Sequence, residues 1–270
     1  MNSDLNEKII TADSDATSLP SLDGRCVNSC GELKGADDYV PVLTCKGLCK
    51  KYGSTVALSD FSIEIPEGEI VGLLGPNGSG KTTFLKIVAG LLQANSGTVD
   101  IAGEPIGVRS KSVVAYLPER NSIPEHFTVN DALDYYTDFF YDFDRVRAED
   151  MLKSLGVKCA SKIKSLSKGT KEKVQLVMVM ARRAKLYLLD EPISGVDPAA
   201  RDFIINTIIN NFHPKASVLI STHLITDIEK VMDRFIFLKD GEAICTDTPD
   251  GIMEKTGMSV DSYFREVFRC

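Results

Sequence analysis

Nine consecutive residues, GPNGSGKTT, carry the plainest chemistry in this chain. Gly75, Pro76, Asn77, Gly78, Ser79 and Gly80 make a glycine-rich turn, and Lys81, Thr82 and Thr83 follow it. The spacing fits G-x-x-x-x-G-K-[ST]. Glycines let the main chain come close enough for backbone N–H groups to wrap a polyphosphate. Lys81 adds a point charge for the outer phosphates, and the Thr82 hydroxyl can reach a magnesium ion. A helix beginning here aims its positive N-terminal end at the same anion. Both flanks agree: residues 69–74 read as a buried strand, and 83–89 as an apolar helix stopped by Gly90. Strand, glycine loop, helix is the order the chemistry requires.

A second group of residues supplies carboxylates. Residues 186–190 form a hydrophobic strand that ends in Asp190 and Glu191. Charge is thereby set at the C-terminal edge of a sheet, where ligands sit in open α/β folds. Asp190 can hold magnesium directly or through water, and Glu191 can polarise a water aimed at the γ-phosphate. Leu166-Ser167-Lys168-Gly169-Thr170 precedes a helix expected over 171–183. A hydroxyl and exposed N–H groups at a helix start can bind an anion, although the stretch taken alone reads as an N-cap.

The elements that must position these groups follow from periodicity. Residues 42–51 and 56–65 read as strands joined across Gly53-Ser54, with Phe61, Ile63 and Ile65 alternating as in a half-buried strand. Further strands are expected at 98–102, 112–117 and 217–221. Residues 118–164 read as a helical insertion. Thr128 and Asp131 suggest a capping box, and Tyr135, Tyr136, Phe139 and Phe140 recur at helical spacing as packing residues. A helix over 145–155 ends at Gly156. Another helix spans 199–212, with Asp197 as N-cap and Pro198 in its first turn. Asp240-Gly241 between two strands is a hairpin signal.

Together these motifs resemble the nucleotide-binding subunit of an ATP-binding cassette (ABC) transporter. GPNGSGKTT resembles that family's Walker A, LYLLDE its Walker B, and LSKGT its signature motif, usually LSGGQ. Ser194-Gly195-Val196-Asp197 resembles the D-loop, His223 the switch histidine, and Tyr52 the aromatic residue that stacks on adenine. The match runs in the family's order from about residue 42 to 251. The resemblance implies an α/β P-loop NTPase core with a mixed sheet, an antiparallel β subdomain and a small α-helical subdomain at about 118–165. It divides the chain into a tail over 1–40, an ATPase domain over 41–255 and a C-terminal extension over 256–270. It implies ATP and Mg2+, the ion held by Thr82, Asp190 and Glu119, with Glu191 and His223 catalytic. It also implies a head-to-tail homodimer or heterodimer. Ser167 and the backbone at Gly169 of one subunit would then contact the γ-phosphate held by the other, Lys168 would add positive charge near the partner's phosphates, and Thr170 and Asp197 are also expected among the nucleotide-binding residues. The driven partner would be a separate integral-membrane permease. Glu119 stands where the family usually has glutamine, Lys168 where it has glycine, and Thr170 where it has glutamine. Such variation resembles ABC-2-type exporter ATPases.

Composition sets outer bounds. The 270 residues are 43% hydrophobic and 26% charged, ordinary for a globular chain, and the net charge of -7 argues against nucleic acid as a partner. No run approaches the ~20 apolar residues of a membrane span. The polar, acidic N-terminus does not read as a secretory signal, so a cytoplasmic location is expected; the resemblance implies that the chain is peripheral on the inner face of the cell membrane. Cys26/Cys30 and Cys45/Cys49 have C-x3-C spacing. In a strand, however, the second pair would lie roughly 13 Å apart, so reduced thiols are expected rather than a zinc site. A soluble ABC ATPase serving an assembly complex would carry the same motifs. A GTPase would need an N-K-x-D motif, which the sequence lacks.

Overall fold

The computed structural model describes residues 41–269; the tail expected over 1–40, with Cys26 and Cys30, lies outside them. Strands β1 (Pro41–Tyr52) and β2 (Thr55–Pro66) form an antiparallel hairpin in which Tyr52 pairs with Thr55 across the Gly53-Ser54 turn. β3 (Ile70–Leu74) leads into the glycine loop and helix α1 (Lys81–Val88). β4 (Ser96–Ile101) and the short β5 (Glu104–Pro105) complete a four-stranded antiparallel sheet in the order β2-β1-β4-β5.

The chain then passes through α2 (Val108–Ser112) to β6 (Val114–Leu117). The strand expected from residue 112 therefore starts at Val114. Ser112 instead closes a helical turn, its hydroxyl donating to Arg109 O at 2.7 Å. The insertion holds α3 (Val129–Phe139) and α4 (Arg145–Ser154). Thr128 and Asp131 do form the capping box, with Thr128 N–H donating to Asp131 Oδ2 at 2.7 Å and Asp131 N–H to Thr128 Oγ1 at 3.1 Å. Next come α5 (Lys168–Met180), β7 (Leu186–Asp190), α6 (Pro198–Asn211) and β8 (Ser217–Thr222). The chain ends with α7 (Ile225–Ile228), β9 (Arg234–Lys239), β10 (Glu242–Asp247), α8 (Pro249–Thr256) and α9 (Val260–Val267). Helix α5 starts three residues before the expected Lys171. Ser167 caps it, so Lys168, Gly169 and Thr170 are its first turn.

The second sheet has the order β10-β9-β3-β8-β7-β6, parallel except for the β9–β10 hairpin. β3, β7 and β8 are buried along their whole length. Their near-continuous apolar sequences are what a parallel sheet covered on both faces demands. Between the two sheets Leu43, Phe61, Phe84, Leu85, Leu73 and Leu188 share one core, so α1 is sandwiched. The opposite face of the parallel sheet packs against α5, α6 and α9. A third core unites Val129 and Leu133 of α3, Leu152 of α4, and Val174, Val177 and Met178 of α5. Helix α5 thus belongs to two cores.

The aromatic residues of the insertion divide. Tyr136 packs inward against Phe140 and Phe143, and burial raises its phenol to about 12. Tyr135 and Phe139 stay 44% and 68% exposed. Cys45, Cys49 and Cys159 are free thiols.

Candidate active site

The parallel strands end on one edge, and the candidate residues gather there. Gly80 enters α1 at φ 112, a conformation that side chains resist. A Cβ at this position would also lie 2.4 Å from Ala57 O. The loop is braced from below: Gly241 N–H, in the β9–β10 turn, donates to Ser79 O at 3.1 Å. The Asp240-Gly241 hairpin signal marked a turn, but only the tertiary structure shows that this turn supports the phosphate loop. Ser79 Oγ is buried and has no hydrogen-bond partner among the described residues.

Lys81 is 5% exposed, and its Nζ donates to Gly75 O at 2.8 Å and Pro76 O at 3.1 Å. It also faces Glu191 Oε1 at 3.5 Å. Burial lowers the Lys81 ammonium below the usual lysine range, and the carboxylates of Glu191, Asp190 and Glu119 pull it back up. An incoming phosphate can replace the carbonyls without moving the lysine from its loop.

Asp190, at the end of β7, is almost wholly buried and surrounded by hydroxyls. Thr82 Oγ1 donates to its Oδ1 at 3.0 Å, Ser221 Oγ to the same oxygen at 2.7 Å, and Tyr116 OH to Oδ2 at 3.3 Å. Burial first, and then the Asp190 charge, push the Tyr116 phenol well above its usual range, so it remains a donor. Neither Ser221 nor Tyr116 was singled out by spacing, because each acts only by lying on a neighbouring parallel strand. The Thr82 and Asp190 oxygens suit a hard divalent cation that takes its remaining ligands from water and phosphate. Among the described residues no group of three or more His, Cys, Asp or Glu side chains forms a closed metal cage.

Glu191 breaks the strand alternation. Its φ of 49 is strained for a side chain with a Cβ, and Glu191 N–H is anchored on Ser221 O at 3.0 Å. The turn swings the carboxylate into the cavity beside His223, whose Nδ1 lies 3.0 Å from Glu191 Oε2. The cavity has a volume of about 370 Å3. Asn77, Gly78, Gly80, Lys81, Thr82, Thr83, Glu119, Glu191 and His223 all line it.

Other expected site residues sit elsewhere. Tyr52 is half-exposed on the hairpin whose next residues, Thr55 to Ala57, form one wall of the cavity. Ser167, Lys168, Gly169 and Thr170 do not line the cavity. Ser167 Oγ and Thr170 Oγ1 are 2.8 Å apart at the exposed start of α5. Asp197 is also outside the cavity lining, and its carbonyl accepts from Arg201 N–H at 3.0 Å in the first turn of α6. Among the described residues no helix is long and apolar enough to cross a membrane.

A family model described as ABC transporter matches residues 58–194. An uncharacterized ABC transporter ATP-binding protein of Bacillus subtilis, YdbJ, is 34% identical over 208 residues, covering 75% of this chain and 68% of its own length. The lipopolysaccharide export system ATP-binding protein LptB of Haemophilus influenzae is 33% identical over 226 residues, covering 78% and 92% respectively. A solved structure of the ATP-binding subunit of an ABC transporter superposes with TM-score 0.75 at 28% identity, covering 84% of this chain and all of the other. With a family model spanning half the chain and relatives matched over most of their length, this protein belongs to the ABC transporter family as an ATP-hydrolysing, ATP-binding subunit.

Proposed function

We propose that the chain powers a separate integral-membrane permease by binding and hydrolysing ATP between two cassettes. The observation that carries this reading is the division of the site. One cavity is lined by Lys81, Thr82, Glu119, Glu191 and His223, while none of Ser167 to Thr170 lines it and Ser167 and Lys168 are exposed at the start of α5. A second subunit, identical or related, supplies the missing half.

In this reading Lys81 and the loop amides of residues 75–83 hold the phosphates, and Tyr52 stacks on the adenine. Thr82, Asp190 and Glu119 face the magnesium ion, which when bound neutralises phosphate charge. Glu191 takes the proton from the attacking water, and His223 holds the γ-phosphate end and orients the Glu191 carboxylate. Ser167, Gly169 and Thr170 of the opposing subunit donate to the γ-phosphate, Lys168 adds a cation nearby, and Asp197 lies at the same junction. Closing the pair moves the helical subdomain, and hydrolysis reopens it. The name of the export-system relative, together with Lys168 and Thr170, favours an exporter of the ABC-2 type acting on the inner face of the membrane.

Complementation tests the division. Lys81→Ala and Ser167→Arg proteins are each expected to be inactive alone. Mixed in equal amounts, they form some hybrid pairs with one intact site, so up to about a quarter of the wild-type rate returns. No recovery despite demonstrated hybrid formation, or full activity of the wild-type chain diluted to a strict monomer, refutes the reading. Co-purification with a membrane protein of several apolar spans separates transport from a soluble assembly role.

A further inference from the structure

One polar side chain interrupts the apolar run of α5, and the proposed chemistry leaves it unused. Gln175 is 3% exposed, between buried Val174 and Leu176. Its amide lies against the loop that follows β6. Ser122 N–H donates to Gln175 Oε1 at 3.1 Å, while Gln175 Nε2 donates to Pro118 O at 3.4 Å and Arg120 O at 3.5 Å. The two carbonyls flank Glu119, whose side chain lines the nucleotide cavity.

We infer that Gln175 is a positioning residue, which fixes the Glu119 loop and ties it to the helix that presents Ser167. An amide is the group the contact requires. It offers an acceptor to one N–H and two donors to two carbonyls on a single planar head. A carboxylate has no donor for Pro118 O and Arg120 O, and a thioether satisfies none of the three. Gln175 lies eight residues beyond the capping Ser167, so roughly 12 Å of rigid helix separates the clamp from the helix start. Burial in two cores keeps that helix from bending freely. A tilt of α5 that carries Ser167 towards an opposing nucleotide therefore pulls the Glu119 loop within its own cavity. The clamp makes the loop's position depend on the helix's position.

This inference rests on the reading of Glu119 as a group facing metal and water, and the experiment keeps the two apart. The full-length chain is assayed for magnesium-dependent ATP turnover and for nucleotide affinity without magnesium. Gln175→Met is expected to lower kcat roughly five- to twentyfold and to raise the magnesium concentration for half-activity, with magnesium-free affinity unchanged. In a Glu119→Ala background, Gln175→Met is expected to cost nothing further, because its route of action is already gone. Gln175→Glu supplies a pH readout and the safeguard if the methionine variant does not fold. At about pH 8 its buried carboxylate repels both carbonyls; towards about pH 6 protonation restores one donor, so its rate relative to wild type climbs severalfold. Wild-type turnover in Gln175→Met, multiplying effects of the two substitutions, or a pH-independent Gln175→Glu ratio overturns the inference. A silent Glu119→Ala removes the reading of Glu119, and the clamp's purpose with it.

Discussion

Glu191→Gln is expected to leave ATP bound and to lower turnover by about 10^2- to 10^4-fold, the range that a positioned general base contributes. The amide is isosteric with the carboxylate and can still meet His223 and Lys81, which lie 3.0 and 3.5 Å from the native oxygens. It cannot accept a proton from water. The strained turn at φ 49 is set by the backbone and persists, so the loss is chemical rather than architectural. Equilibrium binding of a fluorescent ATP analogue, set beside phosphate release from the same preparation, makes the comparison. Undiminished phosphate release removes Glu191 from its assigned role.

Arg182→Met is expected to cost stability rather than chemistry, by about 3–5 kcal/mol for a broken buried ion pair. Arg182 and Asp142 are 5% and 8% exposed and meet twice, Nε to Oδ1 at 3.0 Å and Nη2 to Oδ2 at 3.1 Å. The same guanidinium donates to Val114 O at 2.7 Å and Ser112 O at 3.2 Å, and lies 4.2 Å from the centre of the Phe140 ring. It therefore pins the end of α5, the helical insertion and the start of β6 at one point. Methionine fills much of the space but leaves Asp142 charged, buried and alone. A loss of that size is a large part of the 5–15 kcal/mol typical of a domain, and urea titration measures it. Replacing both partners, Arg182→Met with Asp142→Leu, is expected to recover most of the loss, since the desolvated charge is removed. A double variant no more stable than Arg182→Met alone contradicts the argument. Lysine is not a conservative exchange here, because one ammonium cannot reproduce the fork.

How much of this was legible in the chain depends on the range of the information. The phosphate loop, the Asp190-Glu191 strand end and the β9–β10 turn are encoded by adjacent residues, and they stand where spacing places them. The start of α5 was not: Lys168, Gly169 and Thr170 have no apolar periodicity, and only the hydroxyl of Ser167, accepting from Thr170 N–H at 3.2 Å, announces the helix. Val108–Ser112 was hidden in the same way, being a single short turn of mostly polar residues. Spacing identified the helix carrying Tyr135, Tyr136 and Phe139 but not which of them the third core would take, since that depends on how Phe140 and Phe143 fold back onto Tyr136 just beyond the helix and on Arg182, distant in sequence, stacking on Phe140. Tyr116, Gln175, Ser221 and Gly241 matter only through partners distant in sequence. The likeness of LSKGT to a family motif drew attention to Ser167, which does not line the cavity around Lys81.

The place where β1 enters the fold has a practical corollary. Pro41 pairs with Pro66, whose carbonyl accepts from Ser217 Oγ at 2.6 Å, at the start of β8. His223 follows the other end of that strand, roughly 20 Å away at the usual rise per residue. Whatever precedes Pro41 is thus attached on the rim opposite the phosphates. A fluorescent label placed at Pro41 itself would sit on that rim, far from His223 and the mouth of the cavity.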